Sequence, residues 1–472
     1  MRRTKILATV GPATGSPAQM AHLLEAGADG FRLNFSHGSD DEHRALLRAM
    51  REAARRTRRE PAIVADVQGP KIRLGDLIGG SVTLSVGQAW TLDQDPRAGD
   101  GRRVGVALPS FATAARPGDP VILGDGNVEL EVRHASSRAI ETVVTNGGRV
   151  GAHAGLFLPR AHLRTSVLGP KDRADARIAA AEGADFLALS FVRDARDLSA
   201  ARRWLDRVEG GARMGLIAKI ERAEALAGID GILAASDGIM VARGDLGIEV
   251  PLERLALEQK RLVRAANVAG RFVIVATQML LSMLSAPRPT RAEATDVANA
   301  VLDGADAVML SEESAVGAYP IDAVRWLARI ATATEPAFDP LPLRAIADAS
   351  SGGRAGERSV AAAAVELAER TRATAIVTPT HSGRTARLVA ALRPACPVLA
   401  LARDDRTRRQ LALVSGVRAV STPVHRTLED LRRASVRVAR AAKVLGDGPL
   451  VLTAGYPIEG RPTNLVTRVD VA

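Results

Sequence analysis

Residues Gly183 to Phe191 read GADFLALSF: a small turn, an aspartate, then an unbroken apolar run that ends on a serine. A helix-like stretch precedes it. The same unit recurs at Gly27-Ala28-Asp29 before GFRLNFS and at Gly304-Ala305-Asp306 before AVMLSEE. Glycine suits the position just past a helix because it tolerates the left-handed conformation. The unit therefore reads as helix, tight turn, buried parallel strand. Working outward, further runs of this kind lie at Lys5–Val10, Ala62–Val67, Met214–Ile220, Asp237–Val241 and Arg271–Ala276, making eight. Continuous apolar strands alternating with helices indicate a parallel sheet covered on both faces, and eight such units fit a (β/α)₈ barrel.

The spacing breaks once, between the third and fourth strands. From Gly69 to Thr165 short alternating segments such as SVTLSV and VELEVR are divided by Gly-Asp and Asn-Gly-Gly turns. This predicts a small β-barrel lid inserted in a loop at the C-terminal mouth of the barrel, where active sites lie. After Pro336 a Pro- and Asp-rich linker leads to Ser350-Ser351-Gly352-Gly353. A fresh alternation follows, with strands at ATAIVTP, Val398–Leu401, Val417–Val420 and Leu450–Thr453. This predicts an α/β domain with a mainly parallel sheet. The expected division is 1–68 and 166–337 for the barrel, 69–165 for the lid and 338–472 for the C-terminal domain.

Composition agrees with a folded chain. Of 472 residues, 46% are hydrophobic, enough for several buried cores and against disorder. Cys396 is the one cysteine, so no intrachain disulfide forms, and a reducing, cytoplasmic setting is expected. No apolar run nears the roughly 20 residues of a membrane helix. The N-terminal run stops at Gly11-Pro12, short of a secretory leader. The net charge of +11 comes almost wholly from dispersed arginines and reads as a solvated surface rather than a nucleic-acid face. Lysine is more telling. Lys5, Lys71, Lys171, Lys219, Lys260 and Lys443 are the only lysines, and Lys71, Lys171 and Lys219 sit in strand-end or loop motifs. An ammonium differs from a guanidinium in reach and geometry, which points to specific roles.

Polar residues crowd the ends of the barrel strands. The second ends Arg32-Leu33-Asn34-Phe35-Ser36-His37, the third Asp66-Val67-Gln68-Gly69-Pro70-Lys71-Ile72-Arg73, the fifth Lys219-Ile220-Glu221, the sixth Arg243-Gly244-Asp245 and the seventh Thr277-Gln278. Any one of these reads equally well as a salt bridge capping a barrel. A whole rim of them buries charge at a cost that a ligand and a metal would offset. Glu221 and Asp245 suit a hard ion such as Mg²⁺, which takes one or two carboxylates and leaves the rest to substrate and water. Lys219 and Arg32 would neutralise charge on a moving phosphoryl group. Gly244-Asp245-Leu246-Gly247 opens a short helix whose N–H groups suit an anion. Walker A, GxGxxG and HExxH motifs are absent.

At these residues the chain resembles the pyruvate kinase family, of bacterial type, over nearly its full length. The resemblance rests on TKILATVGPA, FRLNFSHG, QGPKIR, GDPVILGDG, KDRAD, LIAKIE, MVARGDLGIEVP, ATQML, PRPTRAEATDVANAVLDGADAVMLSEES and SGRTAR. It implies the barrel, lid and C-terminal domain, and transfer of a phosphoryl group from phosphoenolpyruvate to ADP, giving pyruvate and ATP. It further implies that Glu221 and Asp245 hold Mg²⁺ (or Mn²⁺), Lys219 bridges the transferred group, and Arg32 and Arg73 contact phosphate. The Gly244 and Asp245 amides would hold the substrate carboxylate, Thr277 would stand near C3 of the enolate, and Asn34, His37 and Arg73 would face the nucleotide. A homotetramer is implied as well.

Many relatives need K⁺, at a site resembling Asn34, Ser36, Asp66 and the carbonyl of Val67. This chain has Val67-Gln68, Lys71 and Leu74 where K⁺-requiring relatives have Thr-Lys, Glu and Thr. A lysine ammonium would put a fixed positive charge where a monovalent ion is otherwise needed, so the expectation is activity without added K⁺. Thr380-His381-Ser382-Gly383-Arg384-Thr385 resembles the loop that binds a phosphorylated effector, a sugar phosphate or AMP, in relatives, with Gly455 to Asn464 as its opposite wall; the bland alternative is an ordinary helix cap. The chain departs from the family's usual pattern at Gly124-Asp125-Gly126, Phe157, Leu281 and Ser311 to Ser314. Two other readings stand beside the kinase. A metal-dependent lyase on the same substrates leaves the lid and Lys219 unexplained. A regulatory protein on this scaffold leaves the intact strand-end groups unexplained.

Overall fold

The computed structural model describes residues 2–106, 115–124, 126–159, 166–341, 343–344, 355–455 and 463–471. Eight parallel strands close a barrel: β1 (Lys5–Val10), β2 (Gly30–Asn34), β3 (Ala62–Val67), β12 (Phe186–Leu189), β13 (Gly215–Ile220), β14 (Gly238–Ala242), β15 (Phe272–Ala276) and β16 (Ala307–Leu310), which pairs back onto β1. Between β3 and β12 run the eight lid strands β4 to β11: Ser81–Leu84, Ala89–Asp93, Arg103–Gly105, Pro120–Leu123, Val128–Ala135, Ala139–Asn146, Gly148–Gly151 and Leu156–Phe157. The eight apolar runs of the sequence are the eight barrel strands. Both faces are buried, as the unbroken runs require. Alternate residues such as Leu7, Val64, Ile217 and Met309 share one cluster, and their neighbours such as Ile6 and Ile63 pack in another with the surrounding helices. Phe186 and Phe272 meet edge to face inside the barrel, 5.2 Å between centroids.

The aspartate of each Gly-Ala-Asp unit does more than end a turn. The Asp29 carboxylate accepts the N–H of Ile6, Asp185 that of Ile63 and Asp306 that of Val273, at 2.9, 2.9 and 3.0 Å. Each ties the foot of its own strand to the strand beside it. Asp237 does the same for the N–H of Leu216 at 2.9 Å without a preceding Gly-Ala, so it is a copy of the device that the repeat conceals.

The lid folds as a mixed six-stranded sheet, order β11-β7-β8-β9-β5-β6, and a two-stranded sheet of β10 and β4. One core, with Trp90, Leu92, Val121, Leu130 and Ile140, serves both. The C-terminal domain carries five strands, β17 (Ala375–Thr380), β18 (Val398–Ala402), β19 (Val417–Ser421), β20 (Leu450–Ala454) and β21 (Leu465–Val469), in order β19-β18-β17-β20-β21. Only β21 runs antiparallel, and it is an edge strand that the apolar-run reading passed over. The domain docks on the barrel base through arginines, two of them buried and Arg409 half-buried: Arg393 pairs with Asp306 at 2.9 Å, Arg409 with Asp185 at 2.8 Å and Arg408 with Glu60 at 2.6 Å. Among the described residues, no helix is long and apolar enough to cross a membrane.

Candidate active site

The ends of β2, β3, β12 and β13 bring one charged cluster together at the barrel mouth. The buried Lys219 ammonium donates to the Ser190 hydroxyl at 2.7 Å and lies 3.2 Å from Asp66 and 2.9 Å from Glu221. Arg32 donates to the other Asp66 oxygen at 2.7 Å and to the Thr9 hydroxyl at 3.1 Å. Ser190 donates to the Val67 carbonyl at 2.8 Å. Glu221 has its second oxygen on the Phe191 N–H at 2.7 Å.

The electrostatics follow from burial against pairing. Burial works to discharge Lys219, but Asp66 and Glu221 overcome it and hold the ammonium well above the usual lysine range. Asp66 likewise resists burial and falls below the usual carboxylate range because Lys219 and Arg32 face it. Glu221 goes the other way: its burial, and Asp245 across the site, lift its carboxyl against the pull of Lys219. Desolvation wins where the attractive partner is shared and a like charge is near. Two carboxylates kept together at that cost suit a small hard cation, since every ligating atom they offer is an oxygen.

Asp245 opens the helix Arg243–Glu249, which follows β14 directly. Ala242 at its N-cap offers no side-chain acceptor, so the first N–H groups are left for an anion. A Cβ on Gly244 would stand 2.8 Å from Thr277 Cγ2, so glycine is what lets this helix approach β15. Thr277 and Gln278 both have positive φ, +76° and +55°, uncommon for such residues. Arg243 fixes that turn, donating to the carbonyls of Ala276 and Thr277 at 3.2 and 2.7 Å while paired with Asp296 at 2.6 Å. Strain held by surrounding bonds is a recurring mark of functional turns.

The other expected residues lie around this centre. Asn34 accepts the Ser36 N–H at 3.1 Å, and His37 is exposed, with its carbonyl 2.7 Å from His43 Nε2. Lys171 donates to the Phe35 carbonyl at 2.8 Å and pairs with Asp175 at 2.7 Å, pinning the same loop. Arg73 lies at the lid hinge, bonded to the His153 carbonyl at 3.1 Å, and none of its bonds reaches the carboxylates. Among the described residues, no bond of the Lys71 ammonium goes to Asn34, Ser36, Asp66 or Val67. The ammonium donates to Asp245 at 3.0 Å, with the rings of Phe157 and Phe191 at 5.4 and 5.9 Å. The departures are integrated. The wholly buried Glu313 accepts the N–H groups of Leu280 and Ser311, and Ser314 donates to the Thr9 carbonyl. Asp125 falls outside the described residues; beside it, a Cβ at Gly126 would stand 3.9 Å from Ile248 Cγ1 of the Arg243–Glu249 helix, so this lid turn comes near the mouth.

Sequence reasoning passed over Ser190, Phe191 and the role of Arg243. Ser190 carried a signal, as the polar residue ending an otherwise apolar barrel strand. In the C-terminal domain, Gly383 caps the helix Arg384–Ala391 with φ +78°. Thr380 ends β17 and Ser382 is exposed. Arg384 pairs with Glu357 at 2.6 Å, and Thr385 meets Thr463 at 2.9 Å. Thr463 belongs to the expected opposite wall, of which residues 456–462 lie outside the described residues.

Comparison with known proteins agrees with this geometry. Residues 1–324 match the family "Pyruvate kinase, barrel domain" and residues 358–467 match "Pyruvate kinase, alpha/beta domain". A pyruvate kinase from Geobacillus stearothermophilus is 41% identical, covering 98% of this chain and 80% of its own. One from Agrobacterium vitis is 42% identical over 98% of both chains. The crystal structure of a pyruvate kinase from Cryptosporidium parvum superposes with a TM-score of 0.93 at 34% identity, covering 99% of this chain and 96% of its own. The chain belongs to the pyruvate kinase family of glycolytic phosphotransferases, which pass a phosphoryl group between phosphoenolpyruvate and ADP.

Proposed function

We propose that the cluster at the barrel mouth carries out this transfer with the following division of labour. Lys219 bridges the phosphoryl group as it leaves phosphoenolpyruvate for ADP, and Arg32 and Arg73 contact phosphate. Glu221 and Asp245 hold Mg²⁺ or Mn²⁺, which supplies charge neutralisation at the transferring oxygens. The Gly244 and Asp245 amides orient the substrate carboxylate. Thr277 is positioned at C3 of the enolate, where a proton is delivered to give pyruvate. Asn34, His37 and Arg73 face the nucleotide. The observation that carries the reading is the Lys219 ammonium set between Asp66 and Glu221, 3.2 and 2.9 Å away, and kept charged while buried. A permanent cation there can follow negative charge as it moves, which is most of what phosphoryl transfer asks of a protein.

The reaction proceeds without added K⁺, because the Lys71 ammonium, although bonded to Asp245, supplies at the barrel mouth the positive charge that a monovalent ion otherwise brings. Thr380, Ser382, Gly383, Arg384 and Thr385 bind a phosphorylated effector, a sugar phosphate or AMP, and the enzyme is an allosteric cytoplasmic homotetramer. The work divides among a barrel of 1–68 and 166–337, a lid of 69–165 and a regulatory domain of 338–472.

The test is pyruvate formation from phosphoenolpyruvate and ADP with Mg²⁺, with and without K⁺, beside Lys219→Met. Expected are ADP-dependent turnover, a loss of about 10²–10³ in kcat for the variant, and little response to K⁺. Pyruvate released without ADP would move the reading to a lyase. Wild-type activity falling to a few per cent without K⁺ would remove the role of Lys71 alone.

A further inference from the structure

Phe157 and Lys71 both stand out in the sequence, Phe157 as a departure from the family's usual pattern and Lys71 as standing where K⁺-requiring relatives carry Glu. The structure puts them together. The Lys71 ammonium lies over the Phe157 ring at 5.4 Å from its centroid and over the Phe191 ring at 5.9 Å. Both rings are more than nine-tenths buried, at 5% and 7% exposure. The ammonium's ion-pair partner is Asp245 at 3.0 Å. The Lys71 ammonium makes no other hydrogen bond or ion pair among the described residues.

The surroundings are shaped for this arrangement. A Cβ at Gly155 would stand 3.2 Å from Lys71 Cε and 3.1 Å from the Phe157 ring, so a side chain there would press on both. Phe191 holds φ at +57°, a strained value for an aromatic residue. In that conformation its N–H reaches Glu221 while its ring is turned to Lys71. One strained residue thus touches both proposed metal carboxylates, Glu221 directly and Asp245 through Lys71. Aromatic faces attract a cation without competing for its hydrogen bonds, so they steer the ammonium while leaving it free to donate.

We propose that Phe157 and Phe191 form an aromatic cradle that seats the Lys71 ammonium on Asp245 as the internal counter-ion of the divalent site. Lys71 must leave Asp245 when that carboxylate takes up a divalent ion. In the empty site it keeps the Asp245 charge paired. The proposal rests on the assignment of Glu221 and Asp245 as the divalent site. It gives the replacement at Phe157 a role: the chain that carries lysine at position 71 also carries the ring that holds it.

The test is Mn²⁺ binding to the full chain without substrate or K⁺, read from the loss of the free-ion electron paramagnetic resonance signal. Lys71→Met removes the competitor and binds Mn²⁺ roughly fivefold more tightly. Phe157→Leu keeps bulk but loses the π face and gives roughly a twofold gain. That gain disappears in the Lys71→Met background, and Phe157→Tyr behaves as wild type. Phe157→Met replaces the leucine variant if the latter fails to fold. Equal Mn²⁺ affinity in wild type and Lys71→Met overturns the counter-ion role. An undiminished effect of Phe157→Leu with Lys71 absent overturns the cradle. Glu221→Gln separates the two levels: Mn²⁺ binding unaffected by it sinks the divalent site itself, whereas binding lost in it and unchanged by Lys71→Met sinks only the proposal.

Discussion

The two ends of the barrel handle buried charge in opposite ways. At the base, Asp185 and Asp306 are each closed off by a backbone N–H from the neighbouring strand and by arginines that, among the described residues, pair with no other carboxylate. At the mouth, Lys219 is shared between Asp66 and Glu221, Asp66 between Lys219 and Arg32, and Asp245 is met by a lysine at the edge of the lid. The backbone differs too. Phe191, Thr277 and Gln278 take positive φ at the mouth, whereas the base aspartates introduce regular strands. A pair with fixed partners makes structure, and a pair with shared partners can be rearranged by a ligand. The contrast accounts for why barrel enzymes keep stability at one face and chemistry at the other.

The largest effect expected from this contrast is at the base. Asp306 accepts the N–H groups of Val273 and Ser415 and pairs with Arg393, all at 2.9–3.0 Å and all buried. Asp306→Ala leaves a buried guanidinium without its counter-charge and two amides without an acceptor. The expected cost is about 3–5 kcal/mol, read as a lower urea midpoint, with the KM for phosphoenolpyruvate unchanged in the enzyme that remains folded. A loss below about 1 kcal/mol would mean that the base aspartates are not anchors, and the contrast would fall.

How far this was legible in the sequence follows the same divide. The strands could be read because a strand buried on both faces must be apolar throughout, as in Phe186–Leu189. The turn could be read from Gly183-Ala184. The partner of Asp185 could not, because Ile63 is 122 residues away and offers only a backbone N–H, which leaves no mark on residue type. β21 was missed because an exposed edge strand such as LVTRV needs no continuous apolar run. At the mouth, the charged residues announced themselves by clustering at strand ends, and the resemblance to the family supplied the roles proposed for them. Which carboxylate Lys71 would meet was not legible. Its partner Asp245 is 174 residues distant, and the loop geometry that joins them exists only in the folded chain.

A second expectation concerns pH. Glu249 ends the helix that Asp245 opens, and burial pushes its carboxyl up to about 7, with Arg222 opposing. The folded protein then binds more protons than the unfolded chain between roughly pH 4.5 and 7, so stability falls as pH rises through that window. The fall is up to about 3 kcal/mol. Glu249→Gln has no charge to bury. Its unfolding midpoint should decline less than that of the wild type between pH 5 and 8, both measured without metal or substrate. Parallel pH profiles for the two proteins would show that Arg222 already compensates the charge, making this carboxylate a closed pair of the base kind.

The smallest effect is the most pointed, because it touches a shared pair without removing a charge. Ser190 is buried, accepts a hydrogen bond from the Lys219 ammonium at 2.7 Å and donates its own O–H to the Val67 carbonyl at 2.8 Å. Among the described residues it is the one neutral side chain bonded to the Lys219 ammonium between its two carboxylates. Ser190→Ala leaves both carboxylates in place, so the lysine stays charged and the fold stays closed, but the ammonium loses the bond that orients it. The loss of one hydrogen bond to a charged group, about 1.5 kcal/mol, should lower kcat roughly tenfold. The KM for ADP should hardly move, and Ser190→Thr, which keeps the hydroxyl, should recover most of the rate. If kcat is unchanged in the alanine variant, the two carboxylates alone orient Lys219, and the mouth is less adjustable than its shared contacts imply. If KM rises with kcat intact, Ser190 belongs to ground-state binding, and the orientation of Lys219 must be sought in Asp66 and Arg32.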